Sequence, residues 1–335
     1  MPKRKAAARL PEFEICGTSV PGGKQVQINL NIARLPSRTP ISMPVFVNRG
    51  KEAGPTLLLL AGMHGDEING IETLRRMLKQ NLCRPKRGTV VCIPVVNIYG
   101  FINFSREVPD GKDVNRSFPG SIRGSLAGRI AHHVISDIVP HVDCGIDFHT
   151  GGAARTNYPQ IRCVMDNPEN SALAHAFAPP FIVNAPLRPR SLRQTAAKMG
   201  KPIIVFEGGE SLRLDEFAIV SAIKGTQRVM AHLGMIEAPP AEHAVRSVTF
   251  SSWIRAKYAG LFHSFVKSGE AVSARQVLGT ITDPYGDFEV KLRAPFDGFV
   301  IGLANNPVVH QGDALMHIGS TDALSGTNKK IDLRD

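Results

Sequence analysis

Thr56-Leu57-Leu58-Leu59-Leu60-Ala61-Gly62-Met63-His64-Gly65-Asp66-Glu67 is the stretch on which the fold turns. Its apolar run does not alternate with polar residues. A continuous run of this kind suits a strand covered on both faces, in a mostly parallel or mixed sheet. The run ends at Gly62. From Glu67 to Lys79 the apolar residues Ile68, Ile71, Leu74, Met77 and Leu78 then recur at helical spacing. A buried strand, a tight turn and a helix make one unit of an α/β fold, and the loop at the carboxyl end of such a strand is a usual place for a ligand.

The same alternation continues along the chain. Thr89 to Ile93 reads as a strand, Ser125 to Val139 as a helix capped by Ser125, and Asp143 to Phe148 as a strand running into His149. Further strand and helix segments follow at 161–165, 172–177, 181–183, 192–198, 202–206 and 214–233. Before the decisive stretch, 25–28 and 44–47 read as strands of a leading sheet. After the linker Glu237-Ala238-Pro239-Pro240-Ala241-Glu242, helical periodicity stops, and short strands separated by Gly, Pro and Asp turns indicate a small all-β unit. The division expected is an N-terminal arm with leading strands (1–40), a catalytic domain (41–240), a C-terminal β domain (245–320) and a polar tail (321–335).

Composition narrows the function classes. The chain has 335 residues, 43% of them hydrophobic, and a formal charge of +11. That length supports two domains, and the apolar content excludes wholesale disorder. No segment approaches the roughly 18 apolar residues of a membrane helix. The basic start MPKRKAAARLPEFE lacks the apolar middle of a secretory signal and reads as a solvated arm. Five cysteines without CxxC spacing indicate buried thiols in a reducing, cytoplasmic setting, and they argue against a Cys-based zinc site.

Chemistry concentrates at three strand ends. His64 and Glu67 stand three apart in a glycine-permitted turn, where an imidazole and a carboxylate can converge on one cation. Zinc in a hydrolase commonly takes two His and one Glu. Asp147-Phe148-His149-Thr150-Gly151-Gly152 supplies the third ligand, His149, with Asp147 on the same face as a carboxylate partner for one histidine. Pro202-Ile203-Ile204-Val205-Phe206-Glu207-Gly208-Gly209-Glu210 ends an apolar run in Glu207, placed to be the base that takes a proton from water. Glu210, past the turn, is the alternative. The long loop 104–120 carries Arg106, suited to polarising a carbonyl, and Asn115-Arg116, suited to gripping a carboxylate. The other histidines, His317 among them, read as surface, helix or barrel residues.

HGDE, NIYGF, SREVPDGKDVNRSFPG, DFHTGG and the FEGG strand end, in that order, resemble the succinylglutamate desuccinylase/aspartoacylase family of the zinc carboxypeptidase clan. The resemblance spans roughly residues 40 to 235. It implies a carboxypeptidase-like mixed sheet flanked by helices, one zinc ion per chain, and hydrolysis of a linear amide. It matches His64, Glu67 and His149 to the metal ligands, Glu207 to the general base, and Asn115 and Arg116 to the carboxylate grip. Aspartoacylase-like members carry Asn-Pro-Arg where this chain has Asn97-Ile98-Tyr99, so the resemblance shifts the carbonyl-polarising role to Arg106 and weakens the case for N-acetylaspartate.

The C-terminal stretches 293–300 and 309–315 resemble a biotinyl/lipoyl-type hammerhead barrel. Between Val300 and Val309 there is no lysine to carry a cofactor, so the unit reads as a structural cap over the cleft. The expected activity is that of a zinc-dependent deacylase on a small, anionic N-acyl amino acid, with a metallocarboxypeptidase as the alternative. The rivals are a non-catalytic metal-binding module and a nucleic-acid binder. The basic groups at 3–9 and 188–201 lack aromatic interleaving, so no nucleic acid is expected. No membrane partner is expected either, and a homo-oligomer is left open.

Overall fold

Leu57 and Leu59 enter one apolar cluster, Leu58 and Leu60 another on the opposite face, and all four are fully buried. Successive side chains of a strand point to opposite faces, so burial on both sides produces a run that does not alternate. The computed structural model describes residues 10–241 and 244–321. The basic arm at 1–9 and the tail at 322–335 lie outside the described residues.

The strand Glu52–Ala61 has parallel neighbours on both sides, Arg87–Ile93 and Cys144–Gly151. Ile203–Glu210 runs parallel to the 144–151 strand. These four strands form the centre of a thirteen-stranded mixed sheet among the described residues. Gln25–Arg34 and Pro40–Arg49 form an antiparallel hairpin that pairs with the 87–93 strand. The leading strands are therefore outer strands of the central sheet. On the other side Arg155–Cys163 runs antiparallel to the 203–210 strand.

Helices cover both faces. Ile68–Lys79, Pro168–Phe177 and Glu216–His232 place Leu74, Met77, Leu173, Phe177 and Val229 against Leu57 and Leu59. Leu126–His133 and Leu192–Lys198 place Ala127, Ile130, Leu192 and Ala196 against Leu58 and Leu60. Ser125 caps its helix by accepting from the Gly128 N–H at 3.3 Å. The α-helix expected to reach Val139 stops at His133 and continues as a wider turn, Val134–Ile138, and a tight one, Val139–His141. Pro140 lacks an N–H, so the regular ladder cannot run through it.

Sheet hydrogen bonding crosses the 237–241 linker. Arg246–Val248 pairs in parallel with Phe181–Asn184, itself a neighbour of the 155–163 strand. Gly298–Ala304 runs antiparallel to the 155–163 strand, followed outward by Ala314–Ser320 and Phe250–Arg255. A second sheet of Gly260–Ser264, Val277–Thr282, Glu289–Arg293 and Val308–Val309 completes the C-terminal β unit. Leu278, Ile281, Leu315 and Ile318 fill its own core. No helix among the described residues is long and apolar enough to cross a membrane.

Candidate metal centre and cleft

The turn after the 52–61 strand can form only because Gly65 has no side chain. A β-carbon there would lie 1.8 Å from the carbonyl carbon of Gly100. This close approach locks the turn against the 98–105 segment and brings His64 and Glu67 together. His149 arrives from the neighbouring 144–151 strand. The Nδ1 atoms of the two histidines face each other at 3.2 Å, and the Glu67 carboxylate reaches both, at 2.7 Å from His64 and 2.8 Å from His149. The three side chains are buried, with ligand atoms within 4.8 Å of one another. Glu67 also accepts from the Thr150 backbone N–H at 3.1 Å.

Each histidine turns its other nitrogen towards a carboxylate. His64 Nε2 is 3.2 Å from Asp113 Oδ1, and His149 Nε2 is 2.9 Å from Asp147 Oδ2. The second contact is close but poorly aligned: neither Asp147 oxygen has a donor in hydrogen-bonding geometry among the described residues. Carboxylates behind metal-binding histidines fix ring orientation and tautomer. Asp113 holds more than His64. Its Oδ1 accepts from the Asn115 backbone N–H at 2.7 Å, and its Oδ2 accepts from Arg106 Nη2 at 2.9 Å.

The electrostatics ask for a cation. Burial pushes Glu67 and Asp113 towards higher pKa, yet both lie below the usual carboxylate range. The two histidines hold Glu67 down, and His64 with Arg106 holds Asp113 down. Burial pushes His64 and His149 down, yet their carboxylate partners raise both. Three carboxylates (Glu67, Asp113, Asp147) surround the histidines, and Arg106 offsets one of them. Two positive charges are then needed, either two imidazolium protons or one divalent ion. Two inward imidazole nitrogens and a carboxylate are a donor set that suits zinc, and His64, Glu67 and His149 could hold that ion.

The centre opens into a cleft of about 840 Å³. Glu207 lies in register beside His149 on the adjacent strand. Its Oε2 accepts from Asn157 Nδ2 at 2.8 Å, and its Oε1 is 3.5 Å from Arg162 Nη1. Arg106 reaches the centre directly, with Nη1 3.2 Å from Glu67 Oε1. Asn97, two residues before Tyr99, has a structural part. It accepts from the Gly100 N–H at 2.9 Å and donates to the Arg106 carbonyl at 3.2 Å, steadying the loop that carries Arg106. Asn115 and Arg116 line the cleft. The Asn115 Oδ1 is occupied by the Leu192 N–H at 3.0 Å, which leaves its NH₂ as the group to offer.

All eight site residues read from the sequence therefore meet in one place. The reading missed Asp113, Asn157, Arg155, Arg162, Trp253 and Arg255. Asp113 stood inside the quoted DVNR motif, so a signal existed. The others lie on the antiparallel 155–163 strand and on the C-terminal unit, where no local motif marks them. Seven arginines line the cleft (Arg106, Arg116, Arg155, Arg162, Arg188, Arg193 and Arg255), against the carboxylates Glu67 and Glu207. Arg106 and Arg162 have carboxylate partners. Among the described residues the other five have none within ion-pair distance.

A second cleft of about 800 Å³ lies against the 25–34 and 40–49 hairpin, lined by residues such as Phe46, Lys51 and Lys86. It contains none of the groups described above.

Comparison with known proteins agrees with this geometry. Residues 53–233 match the model of the succinylglutamate desuccinylase/aspartoacylase catalytic domain. The chain is 30% identical over 292 residues to the N-alpha-acetyl-L-2,4-diaminobutyric acid deacetylase of Halomonas elongata, covering 82% of this chain and 84% of that one. It shares its fold with the product-bound ectoine utilization protein EutE (DoeB) of Ruegeria pomeroyi (TM-score 0.80, 23% identity, 90% of this chain and 97% of that one). It also shares it with a succinylglutamate desuccinylase/aspartoacylase of Rhodobacter sphaeroides (TM-score 0.79, 24% identity, 89% and 96%). The sequence motifs, the match across the catalytic domain and the relative aligned over most of its length lead to one conclusion: the chain belongs to the succinylglutamate desuccinylase/aspartoacylase family.

Proposed function

We propose that the chain is a zinc-dependent deacylase that hydrolyses the amide bond of a small, carboxylate-bearing N-acyl amino acid. One observation carries the reading: His64, Glu67 and His149 converge at the floor of an arginine-lined cleft that also holds Glu207. The Halomonas relative, named as a deacetylase of an N-acetylated amino acid, supports the reaction class.

His64, Glu67 and His149 would hold the ion in a carboxypeptidase-like setting, and when bound it would supply Lewis acidity and lower the pKa of a water towards about 7. Asp113 and Asp147 keep the two imidazoles turned with Nδ1 inward. Glu207 accepts a proton from the attacking water and delivers it to the departing nitrogen. The carbon–nitrogen bond breaks, giving a carboxylic acid and an amine. Arg106, braced by Asp113, faces the negative charge that develops on the carbonyl oxygen. Arg116 and the Asn115 amide hold the substrate carboxylate.

The C-terminal unit favours a small molecule over a polypeptide. Trp253, Arg255 and Ala314 wall one side of the cleft, whose volume suits a metabolite-sized ligand. Five cysteines without disulfides suit a cytoplasmic setting. The test is a panel of N-acyl amino acids and short peptides against zinc-loaded protein, with metal content measured. Turnover of the acyl amino acids with one zinc per chain is expected. Cleavage confined to peptide C-termini would make the chain a metallocarboxypeptidase. Protein that neither binds zinc nor turns over any substrate would be a binding module.

A further inference from the structure

We propose that Asn157 is the positioning residue for Glu207, and that the C-terminal β unit holds Asn157 in place through Gly302. The inference rests on the reading of Glu207 as the general base. Asn157 is 6% exposed. Its Nδ2 donates to Glu207 Oε2 at 2.8 Å, the one hydrogen bond that the Glu207 side chain makes among the described residues. Arg162 stands farther off, at 3.5 Å from the other oxygen. The amide therefore decides where the carboxylate points.

What aims the amide comes from across the 237–241 linker. Asn157 pairs with Gly209 on one side and with Gly302 of the 298–304 strand on the other. A β-carbon on Gly302 would lie 3.0 Å from Asn157 Oδ1, 3.3 Å from His317 Cβ and 3.5 Å from Trp253 Cη2. The amide oxygen thus rests over a bare α-carbon, and its nitrogen is left to face Glu207. Both flanking strands are irregular at this level. Register shifts occur between Glu207 and Gly209, and between Val300 and Gly302. Bulges re-aim side chains beside active sites, and here two of them bracket one amide. The C-terminal unit, read from sequence as a cap, then belongs to the machinery that orients the base.

A double-mutant cycle on full-length, zinc-loaded protein tests this. Asn157→Ala is expected to lower kcat about 10-fold or more with KM within about three-fold, since a misaimed base harms the transition state and not substrate binding. Gly302→Ala, which leaves Asn157 and Glu207 in the chain, is expected to give a smaller loss of the same kind. The double variant should lose no more than Asn157→Ala alone, because both changes act through one hydrogen bond. Asn157→Leu has nearly the same shape without the donor or a new charge and is expected to match Asn157→Ala in kcat, which covers the case in which the alanine variant does not fold. The proposal is overturned if kcat of the folded Asn157 variants stays within two-fold of wild type, if the loss falls on KM, or if the Gly302 and Asn157 effects add. Unimpaired turnover in Glu207→Gln would overturn the general-base reading instead, whatever the Asn157 variants do.

Discussion

Arg106 and Asp113 grip each other at the rim of the candidate metal centre, Nη2 to Oδ2 at 2.9 Å, while the other oxygen of Asp113 lies 3.2 Å from His64 Nε2. One carboxylate thus orients both a proposed metal ligand and the arginine proposed to face the reacting carbonyl. Asp113→Asn keeps the shape and removes the charge. Zinc affinity should fall roughly 10–100-fold, and kcat should fall as well even at saturating zinc. Zinc titration followed by kinetics separates the two losses. A variant with unchanged affinity and rate would remove Asp113 from the site.

Glu207 is predicted to act on protons and not on the metal. Glu207→Gln should cut kcat by about 10²–10⁴-fold while zinc content stays at the wild-type level. Metal analysis beside single-turnover rates checks both halves.

The charge of the cleft bears on the substrate. Five lining arginines lack a carboxylate partner among the described residues, and the two lining carboxylates are already engaged. No carboxylate in the lining is free to pair with an ammonium side chain. Although one relative is named for a diaminobutyric acid substrate, N-acyl amino acids with an anionic or neutral side chain should exceed cationic ones here by at least about ten-fold in kcat/KM, an energy difference of about 1.4 kcal/mol. Arg255→Glu should shrink that ratio. Equal rates across the charge series would sink the idea.

His317 lies flat against Trp253, with ring centroids 4.6 Å apart. Burial, with Arg162 nearby, pushes its pKa down to about 3, against about 6.5 in an unfolded chain. Between those values the unfolded chain binds a proton that the folded one refuses. Stability from this group is complete above about pH 6.5 and falls as the pH drops, by at most about 1.4 kcal/mol per unit. His317→Phe should flatten the fall in melting temperature between about pH 6.5 and about pH 4 relative to wild type. Parallel curves for the two proteins would refute the assignment.

Gly65→Ala probes the turn. The added β-carbon would meet the Gly100 backbone, which no rotamer change can relieve, and overpacking of this kind typically costs about 1–3 kcal/mol or more. A lower melting temperature is expected together with weaker zinc binding, because the same turn carries two of the proposed ligands. Calorimetry with and without zinc measures both.

Residues that lie close in sequence and perform one job were legible. Leu57 to Leu60 announced a strand buried on two faces, and His64 with Glu67 announced half of the candidate metal site. His149 and Glu207 could be read because each ends an apolar strand before glycines. Arg162, Asn157 and Trp253 were not legible, because their roles arise from pairing between strands far apart in the chain. The 155–163 strand looks ordinary until the 203–210 strand is placed on one side of it and the 298–304 strand on the other. The hairpin at 25–49 was legible as strands but its place in the central sheet was not, for the same reason: its short alternating segments do not say which sheet they join. Asp113 is the exception, since it stood within a quoted motif but received no role.

Trp253 lines the cleft, with Arg155 over its ring at 5.5 Å, and it is the only tryptophan in the chain. Every photon of indole emission therefore comes from the wall of the proposed ligand cleft. The molecule carries its own optical gauge of occupancy, and with Glu207→Gln holding the substrate uncleaved, affinities across the acyl and side-chain series can be read by fluorescence without a label.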